Sequence, residues 1–334
     1  GLAVAVCGAV LTGALLVGDS VRGSLRDLTL DRLGAVDVAL LGERFFSEEL
    51  PERLMAQPSI GSEFDEAMGA ILLRGNAVHG SSRARASQVN VIGYDDPTWN
   101  MIASSSASDV FRRGVGDFRI AAATSEGPFA PLQINAALAD ALGAQPGDQI
   151  LLRFQIGAEV PRDTLLGDRE TDEVVGTIRG VVQAVIPNQG PGRFDLSPHQ
   201  SFPLNAYIET ERLQAALEQE GQINAVLLGG SLEISDGAWN DLATAMTAAD
   251  VGLRLRPDPA GFVEVSSDEY VLRPPLLGAA ERAASELGAP SLRLQAYLAN
   301  AMRANGATVP YSMVLAADAP PSDTLGQLTE QTGA

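Results

Sequence analysis

The first eighteen residues, GLAVAVCGAVLTGALLVG, carry no charge, and Thr12 is their only clearly polar side chain. A run of this length lies at the short end of what spans the hydrocarbon core of a bilayer, about 30 Å at about 1.5 Å rise per residue. The chain opens on Gly1 with no basic flank, so the sequence predicts that residues 1–18 begin inside a transmembrane helix. A cleaved signal peptide would show a charged leader and a small-residue cleavage site. Here Val17, Gly18, Asp19 and Ser20 follow the apolar run instead. Lipidation at Cys7 is disfavoured by the bulky Val6 before it.

Residues 19–34, DSVRGSLRDLTLDRLG, continue as an amphipathic stalk. Val21, Leu25 and Leu28 share one helical face at spacings of four and three. Gly34 is placed to end the helix, as a residue that tolerates the left-handed conformation. Arg22, Arg26 and Arg32 are balanced by Asp19, Asp27 and Asp31, so charge does not orient the segment.

Beyond the stalk the pattern alternates between strand and helix. Strands are predicted over 36–41, 70–73, 88–93, 149–154, 174–186, 206–208, 224–228, 253–255, 262–265, 292–299 and 309–316. Helices are predicted over 47–57, with Ser47 as cap, and over 135–142, ended by Gly143, and further over 211–218, 237–247 and 275–287. Charged or turn-rich loops fill 157–172 and 188–203, and 206–228 reads as a βαβ-like unit. The fold class expected is α+β with a mixed sheet. We divide the chain at 35–130 and 131–319, as two parts of one domain, with a polar tail over 320–334.

Composition removes several kinds of chemistry. The 23 basic residues are all arginine, so neither a P-loop lysine nor a Schiff-base lysine is present. This absence also fits the codon bias of a GC-rich bacterium. With 42 acidic residues the net charge is −19, which argues against binding a nucleic-acid polyanion. One cysteine permits no internal disulfide, and with two histidines the chain lacks the four ligands of a structural zinc site. No calcium-loop or phosphate-loop motif occurs. His79, in GNAVHGSS, and His199, in LSPHQSF, read as solvent-exposed loop residues, and Ser104, Ser105, Ser106 and Ser108 read as loop. No catalytic, cofactor or metal-binding residue is therefore assigned, no cofactor is expected, and the substrate-binding residues stay open.

Particular stretches carry a resemblance. LLVGDSVRGSLRDLTLDRLG followed by VDVALLGERFF, then INAALADALGAQPGDQILLRF, GVVQAVIPNQGPGRFDLSPHQ, NAYIETERLQAALEQEGQINAVLL and the final YLANAMRANGATVPYSMVLAAD resemble FtsX-like, MacB-type ABC transporter permeases over nearly the whole chain. The resemblance implies a first transmembrane helix and an extracytoplasmic domain of the MacB periplasmic core type. It places the protein in a bacterial inner membrane, with residues after about 19 outside. It also implies a separate cytoplasmic ABC ATPase, a second permease subunit in a homo- or heterodimer, and a periplasmic adaptor or a lipoprotein or lipid substrate. The chain itself would not be an enzyme. One alternative is a membrane-anchored binding or regulatory module that transports nothing. Another is a hydrolase, which would hold His79 or His199 in a cleft beside a serine or carboxylate.

Overall fold

The computed structural model describes residues 18–20, 23, 32–103, 129–155, 175–197, 201–231, 233–259, 261–267, 271–304 and 307–318. All but Gly18 of the predicted transmembrane run at 1–18, most of the stalk, Cys7, the serine cluster at 104–108, the loop at 157–172, His199 and the tail fall outside these residues. Among the described residues no helix is long and apolar enough to cross a membrane.

The chain divides into two compact units, 1–251 and 252–334. The first holds β1 (Val38–Ser47), α1 (Leu50–Met55), α2 (Pro58–Glu63), β2 (Glu66–His79), β3 (Arg85–Tyr94), α3 (Asp96–Ala103), β4 (Ala130–Asn135), α4 (Ala136–Leu142), β5 (Gln149–Gln155), β6 (Val175–Ile186), β7 (Leu204–Glu209), α5 (Thr210–Leu217), β8 (Gln222–Gly229) and α6 (Asp236–Ala245). A 3₁₀ turn at Gly190–Arg193 follows β6. The class is α+β, and the sheet is mixed. Its order is β1-β8-β2-β3-β7-β4-β6-β5, with β3–β7 and β4–β6 parallel and the other neighbours antiparallel. Residue 131 falls inside β4, within this one sheet.

The sheet closes on itself. Residues Glu66–Ala70 of β2 pair with β8, whereas Gly75–His79 pair with β5, so β2, β3, β7, β4, β6 and β5 form a six-stranded ring with β8 and β1 as an outer extension. Closure removes the unpaired edges that an open sheet would expose. Gly75 sits where β2 passes to its new partner. A Cβ there would lie 2.3 Å from the Arg153 carbonyl oxygen, so only glycine lets β5 approach.

Alternation along each strand sends one set of side chains inward. Ala77, Val89, Val91, Leu132, Ile134, Ile150, Leu152, Phe154, Ile178 and Val182 fill the main core together with Leu138 and Leu142 of α4. A second cluster covers part of the outer face. There α3 and the loop after β6 bring Trp99, Met101, Ile102 and Phe194 against Ile92, Tyr207 and Leu227.

Local signals were sound for several elements. Asn135 caps α4 by accepting from the Leu138 amide at 3.0 Å, and Gly143 ends it in the left-handed conformation. Ser235 likewise caps α6. The predicted helix at 47–57 is corrected: β1 runs on through Ser47, and two short helices follow. Ser47 caps neither: its Oγ accepts from the Glu49 amide at 3.2 Å, ahead of the first helix, while its own amide donates to Asp250 at 3.0 Å. β7 and β8 are parallel, as a βαβ unit requires, yet β2 and β3 lie between them.

The second unit contains the hairpin β9 (Leu253–Pro257) and β10 (Val263–Ser267), helix α7 (Pro274–Glu286), and the hairpin β11 (Leu294–Ala304) and β12 (Ala307–Ala317). None of its described apolar side chains is buried.

Candidate functional site

The ring carries three polar arrangements, two of them on its outer face, and the first of these seats the loop after β6. Asn135 Nδ2 donates to the carbonyls of Gly192 at 2.8 Å and Pro203 at 2.6 Å, and its Oδ1 accepts from the amides of Leu138 and Asn205. Asn205 Nδ2 donates to the Phe194 carbonyl at 2.8 Å and to Tyr207 Oη at 3.1 Å, while Tyr207 Oη donates to the Pro191 carbonyl. Asn90 extends the network to Asp195. Asn135, Asn205 and Tyr207 are fully buried, so each of their bonds replaces one lost to water, and leaving a partner unpaired would cost about 1–3 kcal/mol. Burial pushes the Tyr207 phenol up, with a lowering contribution from Asn205 and a raising one from the Asp195 charge, so it is held neutral as a donor. This is a clamp that fixes loop shape. Its chemistry is positional, since its amides are saturated with protein partners.

His79, expected as a solvent-exposed loop residue, is corrected. It lies at the end of β2, only 4% exposed, rather than in solvent. Its Nδ1 accepts from the amides of Ser81 at 3.3 Å and Ser82 at 3.2 Å, which leaves Nε2 as the protonated nitrogen of the neutral ring. Nε2 lies 3.2 Å from Asp148 Oδ2, though out of line for a well-formed hydrogen bond. The Gln145 amide, then His79, holds the Asp148 carboxyl below the usual range. A serine, a histidine and a carboxylate thus meet here. They do not form a nucleophile–base pair, because the Nδ1 lone pair facing Ser81 Oγ is already shared by two backbone donors. His79 caps the β2–β3 turn and ties it to the turn before β5.

The third arrangement was not singled out by the sequence. Register puts Arg85, Val78, Leu151 and Arg179 in one row across β3, β2, β5 and β6, and Ser87, Asn76, Arg153 and Thr177 in the next. Directly paired residues share a face. The four polar residues of the second row and the arginines of the first are exposed. Arg83 joins them from the turn, and a cleft of about 420 Å³ opens between Arg83, Arg85, Arg153, Asn76 and Ser87 over Leu151. Arginines alternating with Ala86, with Leu152 and Phe154, and with Ile178 and Gly180 were visible in the chain; only pairing brings them together. Among the described residues no group of three or more His, Cys, Asp or Glu could hold a metal ion.

No family model matches this chain, and no curated protein matches it. Among solved structures it is similar to the periplasmic region of MacB from Actinobacillus actinomycetemcomitans, at 9% identity and a TM-score of 0.32, over 74% of this chain and 84% of that one. It is also similar to the extracellular domain of the noncanonic ABC-type transporter YknZ from Gram-positive bacteria, at 10% identity and a TM-score of 0.31, over 59% of this chain and 78% of that one.

Proposed function

We propose that the chain is the extracytoplasmic part of an FtsX-like, MacB-type ABC transporter permease, driven by a separate cytoplasmic ATPase. The observation that carries this reading is a convergence. Three stretches of the resemblance, INAALAD, GPGRFD and NAYIE, are far apart in sequence, and they supply Asn135, the Pro191–Phe194 loop and the Asn205–Tyr207 pair of one buried clamp. Three of the stretches that carry the resemblance thus hold the loop to the ring.

The entry of the chain into the first unit suits transmission of movement. Arg32 and Leu33 are helical, and Gly34 turns the backbone at a φ of 69°. The Ala35 amide then donates to the Met101 carbonyl at 3.0 Å, and the Asp37 amide to the Leu228 carbonyl at 2.9 Å. Val36 is buried between these anchors. A displacement arriving along residues 19–33 would therefore move β8 and α3 with it rather than dissipate in a free linker. In this reading the stalk carries ATP-driven motion of a membrane helix to the outer domain, which exports, extracts or activates a partner at the outer face, beside a second permease subunit.

The test is a pair of prolines, Leu25→Pro and Leu28→Pro, in the full-length permease reconstituted with its ATPase. Proline removes an intrahelical hydrogen bond and costs about 3 kcal/mol in a helix interior. Transport should be lost while ATP still binds the partner. Unchanged transport would contradict coupling through the stalk, and a chain found without any ATPase partner would favour the anchored binding module.

A further inference from the structure

We propose that the arginine cleft on the outer face of the ring is a binding site for a phosphate ester. This goes beyond the permease reading and does not depend on it. The chain has a net charge of −19, yet Arg83 and Arg85 on one side of β2, and Arg153 and Arg179 on the other, have no hydrogen bond or ion pair to their guanidinium groups from the described residues. Arg153 and Arg179 are diagonal neighbours on the paired strands β5 and β6, within reach of each other's charge. On an otherwise acidic chain such an arrangement makes a local positive field that attracts an anion.

The geometry selects among anions. Each guanidinium offers a planar fork of donors that matches the oxygens of a phosphate in bidentate fashion. Arg85 and Arg153 flank the β2 residues Val78 and Asn76 from opposite sides, so a phosphate over β2 is reached from both. Asn76 and Ser87, directly paired, add neutral donors beside it. Val78 and Leu151 are half-buried and adjoin each other across the β2–β5 pair, giving the cleft an apolar floor. Cations above an apolar floor suit an ester, whose phosphate takes the arginines while its carbon skeleton lies on the valine and leucine. A free phosphoester and a lipid headgroup share this chemistry.

The experiment uses the 334-residue chain and its R85Q/R153Q variant, with R85K/R153K as the charge-retaining control. Both arginines are exposed, so neither exchange disturbs the core. Calorimetry with glycerol 1-phosphate reads the soluble source. Flotation with phosphatidylglycerol-containing vesicles, against phosphatidylcholine alone, reads the lipid source. The site predicts that at least one anionic probe binds the wild type about tenfold or more tightly than R85Q/R153Q, given the strength of charge-assisted hydrogen bonds. The lysine control should be intermediate, and binding should weaken as salt rises. Loss with glycerol phosphate assigns a soluble ester, and loss only with phosphatidylglycerol assigns a headgroup. Equal binding of both probes to wild type and R85Q/R153Q, or binding of poly-glutamate but of neither phosphate probe, would overturn the proposal.

Discussion

The two units obey the same alternation of apolar and polar residues and end in opposite conditions. In the first, inward residues of six strands meet across a closed ring, and Phe154, Leu132, Ile134 and Leu152 lose essentially all contact with water. In the second, Leu294, Leu298 and Met302 of β11 share a face with Val309, Met313 and Leu315 of β12, and all six stay between 45% and 75% exposed. A two-stranded hairpin has nothing on its other side to bury that face. Apolar periodicity therefore announces a strand, while the number of partners decides whether the strand has a core. Stability should be concentrated in the first unit.

Phe154→Ala is the strongest way to break this contrast. Removing a fully buried aromatic side chain from the ring should cost about 3–5 kcal/mol, read as a lower urea midpoint for the first unit. A loss below about 1 kcal/mol would mean that the ring interior is not the main core. Asp250→Ala tests the end of that unit. Asp250, 2% exposed, accepts from Arg53 Nη2 at 2.6 Å, from the Ser47 amide at 3.0 Å, and from the amide and hydroxyl of Thr247. Leaving Arg53 without its buried partner should cost about 3 kcal/mol, near the lower end for broken buried pairs because Arg53 is itself partly exposed.

The same carboxylate gives a pH signature. Burial pushes Asp250 up, but the Thr247 and Ser47 amides, the Thr247 hydroxyl and Arg53 outweigh it and hold it below the usual carboxylate range. The stabilisation is thus present above the unfolded value of about 3.9 and is lost as pH falls through the lower folded value. Acid titration of unfolding should be less steep in Asp250→Ala than in the wild type; identical profiles would remove Asp250 as a contributor.

Smaller effects sharpen the contrast. Gly34→Ala forces alanine into a left-handed conformation, and its Cβ would stand 2.3 Å from the Ile102 carbonyl oxygen. A loss of about 1–3 kcal/mol is expected, with faster amide exchange at Ala35 and Asp37. At the other extreme, Leu298→Ser with Met313→Ser should change the stability of the first unit, read from its urea midpoint, by no more than about 0.5 kcal/mol, because these side chains are exposed. A larger shift would show that the hairpin is covered.

Legibility in the sequence followed the range of the interactions. Asn135 and Gly143 bracket a helix with contacts three to five residues away, so α4 could be read directly. Ser47 could not, since the group that takes its amide lies 203 residues on. His79 looked like a turn residue because Gly80, Ser81 and Ser82 follow it. Yet it continues the inward alternation of Leu73, Gly75 and Ala77, a signal that was present and outweighed by the turn formers. Ring closure and the arginine cleft both depend on β2 pairing with β5, a contact between strands about 75 residues apart with no mark in either strand alone.

In the proposed permease the domain lies outside the membrane, and cysteine labelling reads that placement. Glu220→Cys, in the exposed turn between α5 and β8, is introduced into the full-length protein with Cys7 and every cysteine beyond residues 1–334 changed to serine, and the protein is treated with a membrane-impermeant maleimide in intact spheroplasts. The account predicts labelling before lysis, to the same extent as after it. Labelling only after lysis would place the domain on the cytoplasmic side and contradict the account.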